Sequence, residues 1–537
     1  MAPVSPARRP VAGVLAAALF ALAALGACSV PDLRTGFGRD AGATPAGDSA
    51  LPAGGATVAV FDMGFERIED IYIDAVPIGD LAVTGLAALD THDPAFGVDR
   101  TETTVSARLG GAELLRVSAP TARDARGWAA VAGHVVAAGQ AASPALGDLE
   151  REAIYETVFD AALDGLDDYS RYVDPESARE ERAQRDGYGG IGLLIEYDAD
   201  SRAIVLQVFD EGPAAGAGIE PGWYIETVDG ESIADWDIGD VGRALRGRSG
   251  TPVRVTFSTR EGVLRSYTLT RARVVPNVVA TRRVGDVIVA EVLRFNAATT
   301  EDLTRAIDET MAGMDGPPAG VVLDLRGNPG GLLGQAVAVA DLFVDDGLLI
   351  ETRGRHPDSA QRFDARRGDI LAGLPLAVLI DGRSASGAEV VAAALQDSGR
   401  AVLVGSSTFG KGSVQTVTRL PNDGELFLTW SRIYAPSGYT LHRQGVMPTL
   451  CTSAGIDQAD SLIDRFRSGR LAIPAQLTAA QRAAPESESA LDALRSACPW
   501  RAHDAELDLE VARRVVSDPM LYAEVVQARR EEAFALR

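Results

Sequence analysis

Lys411 is the only lysine in this sequence, although lysine and arginine together number 51 of its 537 residues. Arginine stays protonated at any accessible pH, whereas a desolvated lysine can lose its proton near neutrality. A site that needs a neutral amine cannot use arginine, so Lys411 is a candidate general base. A general bias toward arginine would explain the other cations, and the chance survival of one surface lysine is the alternative.

Ser386 has the surroundings of a nucleophile. It follows an apolar strand expected over 375–380 and precedes an alanine-rich helix expected over 387–396. A serine at such a turn exposes its hydroxyl beside free helix N–H groups, which suits acyl transfer through an oxyanion. The structural alternative is a capping box, because Ser386 and Glu389 have the S-x-x-E spacing that stabilises many helices.

Three separate motifs accompany these two residues. They are VLDLRGNPGG at 322–331, SASGAE at 384–389 and TFGKGSVQ at 408–415. Together they resemble the carboxyl-terminal processing peptidases, also called tail-specific proteases, which are serine proteases of the serine-lysine type. Weaker matches at 166–172 and 434–446 extend the resemblance over roughly residues 150–450.

The resemblance implies a role for each matching residue. Ser386 would attack the scissile carbonyl, Lys411 would take its proton, and Gln415 would hold the lysine in position. No cofactor and no metal is implied. The N–H groups expected to stabilise the oxyanion belong to Gly387, Gly330 and Gly331.

Glycine-rich stretches at 187–194, 211–219, 221–223 and 228–230 resemble a PDZ domain of the bacterial, protease-associated kind. In that family a loop presents backbone N–H groups to a peptide's C-terminal carboxylate, and the peptide adds a strand beside the next one. An ordinary tight turn is the alternative for the loop taken alone. The matching loop here consists of Gly190, Ile191, Gly192 and Leu193.

The expected fold is multidomain α/β. The resemblance implies a crotonase/Clp-like α/β serine protease domain with an inserted or preceding β-rich PDZ domain, and helical periodicity predicts helical N- and C-terminal regions. Helical spacing is expected over 58–89 and 149–166, and most clearly over 506–521 near the C-terminus. The expected boundaries are a signal peptide at 1–28, a flexible tether at 29–55, a helical N-terminal region at 56–186 with an insertion near 98–146, the PDZ domain at 187–274, the protease domain at 275–452 and the helical C-terminal region at 453–537.

The first 28 residues resemble a bacterial lipoprotein signal. Two arginines precede an apolar run over 11–25, and Leu25-Gly26-Ala27-Cys28 resembles a lipobox that would leave Cys28 lipidated. The expected location is the bacterial cell envelope, facing the periplasm, with a plain cleaved signal or a membrane anchor as alternatives. In such a compartment Cys451 and Cys498 form either one disulfide or two unrelated buried thiols.

Other functions fit less well. A net charge of −24 argues against nucleic acid as a partner. The 405–411 segment matches a phosphate-binding loop except at its end, where Gly412 lacks the required hydroxyl and a strand replaces the helix. His356 and His442 are expected to be solvated, and no zinc motif occurs.

The expected partners are polypeptide substrates, bound through their C-terminal tails, and a membrane, reached through the lipid anchor. A homo-oligomer is left open. The competing function is a non-catalytic PDZ lipoprotein that binds peptide tails or partner proteins, and retention of the single lysine argues against it.

Overall fold

The computed structural model describes residues 55–209, 211–366, 368–455, 458–470, 481, 487–501 and 505–535. The expected signal peptide, Cys28 and nearly all of the tether lie outside the described residues. Within the described part, no helix is both long enough and apolar enough to span a bilayer. The same residues contain no cluster of His, Cys, Asp and Glu suited to a metal ion.

The N-terminal region packs helices against a small antiparallel sheet around Phe61, Phe65, Trp128 and Phe159. The helical run expected over 58–89 is two helices: the first ends at Ile71 and the second begins directly after Pro77, which cannot lie inside one continuous helix because it has no backbone N–H. The expected insertion near 98–146 folds as most of the sheet and a long helix. The elements are α1 (Gly55–Ile71), α2 (Ile78–Ala87), β1 (Phe96–Arg100), β2 (Thr104–Leu109), β3 (Ala112–Ser118), α3 (Ala125–Ala142), α4 (Pro144–Gly147), α5 (Arg151–Asp164), β4 (Arg171–Val173) and α6 (Pro175–Asp186).

The β-rich region that follows is built on one sheet with the strand order β11-β10-β8-β7-β6, in which β6 is an edge strand. A two-stranded ribbon of β5 and β12 brings the two ends of this region together. Its elements are β5 (Tyr188–Gly190), β6 (Leu193–Tyr197), β7 (Ala203–Val208), α7 (Pro213–Gly216), β8 (Tyr224–Val228), β9 (Glu231–Ser232), α8 (Ile238–Leu245), β10 (Pro252–Ser258), β11 (Leu264–Thr270) and β12 (Ala272–Val274).

The α/β domain contains two sheets. The first has the order β13-β14-β15-β18-β19-β22, with parallel pairing from β14 to β22, and the second has the order β17-β16-β21-β20. The elements are β13 (Val279–Val284), β14 (Val287–Val292), α9 (Thr299–Ala312), β15 (Gly320–Asp324), α10 (Leu333–Asp341), β16 (Leu348–Arg353), β17 (Gln361–Asp364), β18 (Leu376–Ile380), α11 (Gly387–Asp397), β19 (Val402–Gly405), β20 (Ser413–Arg419), β21 (Glu425–Tyr434) and β22 (Leu450–Cys451).

The N-terminal region contributes a strand to the second sheet, because β4 pairs antiparallel with β21. Apolar side chains of the β20–β21 hairpin, including Leu426 and Leu428, are buried in the N-terminal core. The N-terminal region and the α/β domain therefore share a core.

The C-terminal helices cover one face of the parallel sheet, where Val511 and Val515 pack with Val322 and Leu379. The single helix expected over 506–521 is divided, since the second helix starts at Pro519. Cys451 and Cys498 form a disulfide in the structure. The helices are α12 (Ala459–Arg467), α13 (Glu488–Ala497), α14 (Ala505–Ser517) and α15 (Pro519–Ala535).

Candidate active site

The candidate site forms where three neighbouring parallel strands end. The loops after β15, β18 and β19 contain the three motifs of the sequence, and these strands are adjacent in the sheet. Loops at the carboxyl ends of adjacent parallel strands lie at the same edge, where α/β folds place their sites. Buried Asp381 ties two of the loops together by accepting hydrogen bonds from the N–H groups of Gly327 (2.9 Å) and Ser384 (3.0 Å).

Ser386 lies at the turn from β18 into α11, directly before the first helical residue. Its φ of 52° places a non-glycine residue in the left-handed region, which costs conformational energy. The residue is half-buried rather than enclosed. The strained turn sets this serine at the positive end of the helix, as expected for a nucleophile.

The glycines after β15 lie directly against the nucleophile. A Cβ on Gly330 would be 2.7 Å from the Cβ of Ser386 and 2.8 Å from the nitrogen of Gly387. The prediction for the Gly330 N–H needs correction, because that N–H donates to Oδ1 of Asn328 over 2.8 Å. The expected oxyanion donors are therefore reduced to Gly387 and Gly331.

Glu389 does more than cap the helix. Its Oε2 accepts hydrogen bonds from the backbone N–H groups of Ser386 (2.7 Å) and Lys411 (2.9 Å). Its Oε1 accepts from the hydroxyl of Thr408 (2.5 Å) and the N–H of Gly410 (2.7 Å). Complete burial raises the pKa of this carboxyl to about 7, although the four donors oppose the rise.

Lys411 follows β19 in the loop that leads to β20 and is partly buried. Its Nζ donates to Oε1 of Gln415 over 3.2 Å. Burial, followed by the positive charge of Arg171, lowers the pKa of the amine below its usual value. The only lysine of the chain is thus in surroundings that favour its neutral form.

Gln415 lies on β20, four residues beyond the lysine. Its Nε2 donates to the backbone carbonyl of Tyr169, in the segment between α5 and β4. The amide is therefore oriented with its oxygen toward Lys411 and its nitrogen toward the N-terminal region. The predicted contact between Gln415 and Lys411 is present in the geometry.

In the described part of the chain, no hydrogen bond joins the Ser386 hydroxyl to the Lys411 amine. The two residues are nevertheless coupled, because their backbone nitrogens both lie within 3 Å of Glu389 Oε2.

Comparison with known proteins identifies the family of this chain. The sequence profile of peptidase family S41 matches residues 287–451, and a PDZ domain profile matches residues 204–258. The carboxy-terminal-processing protease of Bartonella bacilliformis is 37% identical over 303 residues, which cover 56% of this chain and 69% of that protein. The chain belongs to peptidase family S41.

Two further proteins are similar. The carboxy-terminal processing protease CtpA of Bacillus subtilis is 30% identical over 302 residues, covering 55% of this chain and 63% of that protein. A solved photosystem II D1 C-terminal processing protease is 24% identical, with a TM-score of 0.36 over 74% of this chain and 92% of that one. As an S41 member the chain is a serine-type endopeptidase with a PDZ domain, so these relatives do not support the non-catalytic alternative.

The predicted PDZ loop joins β5 to the edge strand β6. Gly192 has a φ of 81°, and a Cβ there would be 2.8 Å from the Cα of Gly212, so only glycine fits without strain. Helix α8 contacts β6, and Leu194 on β6 is 46% exposed. An edge strand beside a helix is the arrangement that accepts an added peptide strand.

The other candidate residues take different places in this S41 fold. The 405–411 loop leads into strand β20, so the helix that a phosphate-binding loop requires is absent from it. The expectation of a solvated His442 is wrong: the residue is partly buried, and burial with Arg432 and Arg443 nearby lowers its pKa to about 4. Its ring is therefore neutral at neutral pH.

Two residues that contribute to the site were not predicted from the sequence. Tyr169 lies beside Lys411 and Gln415, and the only signal for it was the weak motif at 166–172. Arg495 on α13 donates to the carbonyl of Phe409 over 3.1 Å, which links the C-terminal region to the lysine loop. No local pattern could indicate that second contact.

Proposed function

We propose that this S41 member is a lipid-anchored, periplasm-facing endopeptidase that captures unfolded polypeptides by their C-terminal tails and cleaves them with Ser386 and Lys411. One observation carries the proposal: neighbouring loops bring a strained serine at a helix N-terminus close to the only lysine of the chain. This pairing of a hydroxyl with a deprotonatable amine is suited to acyl transfer.

The proposed reaction begins with the neutral Lys411 amine accepting the Ser386 hydroxyl proton as the oxygen attacks the scissile carbonyl. The N–H groups of Gly387 and Gly331 would stabilise the oxyanion. Protonated Lys411 then donates its proton to the leaving amine. Water, deprotonated by the same lysine, would hydrolyse the acyl-enzyme and restore Ser386.

Gln415 would act by holding the amine while it is idle. Its oxygen accepts one of the amine hydrogens over 3.2 Å, and its nitrogen is bound to a backbone carbonyl. Because that amide is bound on both sides, it restrains the lysine side chain beside Gln415. The restraint reduces the entropy that must be lost on reaching the reactive geometry.

The PDZ domain would select substrates. The glycine loop from Gly190 to Leu193 precedes an unpaired strand edge, and its backbone would bind a terminal carboxylate while β6 pairs with the preceding residues. Tail recognition would then lie in a domain directly ahead of the protease domain. An intrinsically disordered or unfolded substrate could then reach both sites.

The envelope location and the lipid anchor are supported by the sequence of the first 28 residues, with Cys28 as the lipidated residue. Cys28→Ser should shift the protein from the membrane fraction to the soluble fraction and abolish incorporation of labelled fatty acid. An unchanged distribution would contradict the anchor without affecting the proposed chemistry. Association with a second copy stays a prediction.

The catalytic proposal is tested with purified Ser386→Ala, Lys411→Ala and Lys411→Arg proteins on an unfolded protein substrate. Loss of one member of such a pair typically removes at least about a thousandfold of the rate. Ser118→Ala, at an exposed position in β3, is the matched control and should cleave like the parent. If the three site variants cleave as fast as the parent, the assignment of Ser386 and Lys411 as catalytic residues fails. If the parent binds peptide tails but does not cleave them, the non-catalytic PDZ lipoprotein is favoured instead.

A further inference from the structure

The segment between α5 and β4 reaches the base of the proposed site. The Nζ of Lys411 lies 5.0 Å from the centre of the Tyr169 ring. The carbonyl of the same tyrosine accepts the hydrogen bond from Gln415 Nε2. One residue of the N-terminal region therefore contacts both the lysine and its partner.

Tyr169 is held firmly in place. Oδ1 of Asp167 accepts hydrogen bonds from the N–H of Tyr169 (2.8 Å), the N–H of Ser170 (3.0 Å) and the hydroxyl of Thr429 (3.0 Å). Burial opposes the ionisation of Asp167, but these bonds and one from the Ser170 hydroxyl outweigh it and lower its pKa. Two residues further on, β4 pairs with β21 in the protease domain, with Arg171 opposite Phe427.

We propose that Tyr169 is a positioning residue for the general base: its ring covers the Lys411 amine and excludes water, while its carbonyl orients Gln415. The inference rests on the proposed function, in which Lys411 accepts the serine proton. It assigns to the N-terminal region a direct part in preparing the amine. The residues that carry this role lie outside the segment that the S41 profile matches.

Two effects of the ring act in opposite directions. A cation above an aromatic face is stabilised by the ring, which favours protonated lysine. Exclusion of water disfavours the charged form and can lower the pKa of a buried lysine by several units. Burial is the largest influence on the Lys411 amine, so removal of the ring should bring its pKa back up toward the ordinary value.

Charged groups from several elements face the pair. Around the lysine, Arg171 lowers its pKa, whereas Asp167, Glu389 and Glu181 raise it. Around the tyrosine, burial and the charges of Asp168, Glu389 and Asp167 raise its pKa, and Arg432 lowers it. The net pKa of Tyr169 is raised, so its hydroxyl stays neutral over the working pH range.

The single lysine makes a direct measurement simple. Protein grown with lysine labelled with ¹³C at Cε should give one side-chain resonance, whose shift against pH reports the pKa of Lys411. The titration is run on the parent, Tyr169→Phe and Tyr169→Ala proteins. Tyr434→Ala is the matched control, because this half-buried tyrosine in the same sheet as Gln415 covers Arg353 at 4.4 Å instead of the lysine.

Tyr169→Ala should raise the Lys411 pKa by about one unit and lower kcat/KM at neutral pH by about tenfold, with the acidic limb of the pH profile moved to higher pH. Tyr169→Phe keeps the ring and the carbonyl and should stay within about twofold of the parent. Tyr434→Ala should leave the titration midpoint in place. If Tyr169→Ala lowers the stability of the folded protein but leaves the Lys411 titration midpoint unchanged, the role of Tyr169 is merely structural and the inference is overturned.

An unchanged Lys411 pKa in Tyr169→Ala would likewise overturn the inference. A lowered pKa would overturn it too, because the ring would then act mainly by stabilising the protonated amine through the cation–π contact. Failure of the proposed function is distinguishable from these outcomes. In that case the parent itself shows no cleavage that depends on Ser386, whatever the titration of Lys411 shows.

Discussion

The backbone N–H of Lys411 donates a hydrogen bond of 2.9 Å to Oε2 of Glu389. Because the N–H of Ser386 binds the same oxygen, one fully buried carboxylate joins the nucleophile turn to the base loop. Two side chains that act together are thus coupled through a third residue that need not touch the substrate. The relative placement of serine and lysine depends on that carboxylate.

Glu389→Gln should therefore impair catalysis. An amide has one acceptor oxygen, so at least part of the four-donor set loses its partner, at a cost of about 1–3 kcal/mol for each buried group. We expect kcat to fall about ten- to a hundredfold through misplacement of the two loops. Steady-state kinetics decide it, with Glu180→Gln at an exposed position of α6 as the control.

The same residue should influence stability against pH. Its pKa is raised by burial from 4.5 to about 7, so the folded state binds the proton more tightly than the unfolded state. The resulting stabilisation is complete below about pH 4.5 and is lost as pH rises through about 7. The free energy of unfolding is measured in urea for the parent and Glu389→Gln proteins. Between pH 5 and 8 it should fall in the parent relative to the variant. A rise in the parent's relative free energy of unfolding with pH would contradict this.

Gly330→Ala should abolish activity, since its Cβ would lie 2.7 Å from the Cβ of Ser386 at a φ of 97°. Relief of that contact must displace the nucleophile turn, so we expect a loss of at least about a hundredfold in kcat. Gly334→Ala is the matched control: a Cβ there has nothing within 4 Å, and alanine favours the α10 helix. Peptide hydrolysis assays are decisive, and parent-like activity of Gly330→Ala would contradict the expectation.

Removal of the disulfide should destabilise the C-terminal region. The bond closes a separation of 47 residues, which corresponds to about 3–4 kcal/mol in the chain-entropy model. Reductant should lower the melting temperature of the parent but leave a Cys451→Ser/Cys498→Ser double variant unchanged. Equal responses of the two proteins to reductant would mean that the bond has no such role.

Gly192→Ala should weaken tail binding by the PDZ domain. The added methyl meets the backbone of Gly212 at 2.8 Å, so the loop before β6 must move. We expect the Kd for a peptide with a free C-terminal carboxylate to rise at least about tenfold. Gly216→Ala, where a Cβ has open space, should bind like the parent in the same fluorescence titration.

Elements with a local physical signal could be predicted from the sequence. The strand expected over 375–380 is found at Leu376–Ile380, because a continuous apolar run is what a parallel strand buried on both faces requires. The turn into α11 was expected from an apolar strand followed by an alanine-rich helix, and the structure has it at Ser386. The solitary lysine led to the candidate base by chemistry alone.

The contacts that join distant segments could not be predicted. The Glu389 spacing indicated a helix cap, but no pattern revealed that its carboxylate also binds the loop around Lys411. Nor could periodicity show that Asn328 already accepts the Gly330 N–H. Such partners are set by the packing of loops against one another, which depends on the whole sheet rather than on neighbours in sequence.

The strand pairing between β4 and β21 has a consequence for how the protein is made. Tyr169 and Gln415 are 246 positions apart, and their contact forms only when the first part of the chain has closed onto the last part of the protease domain. A chain still emerging from the ribosome would contain Ser386 before Lys411 has these surroundings. The full set of contacts around Lys411 therefore forms late in folding, once β4 has paired with β21.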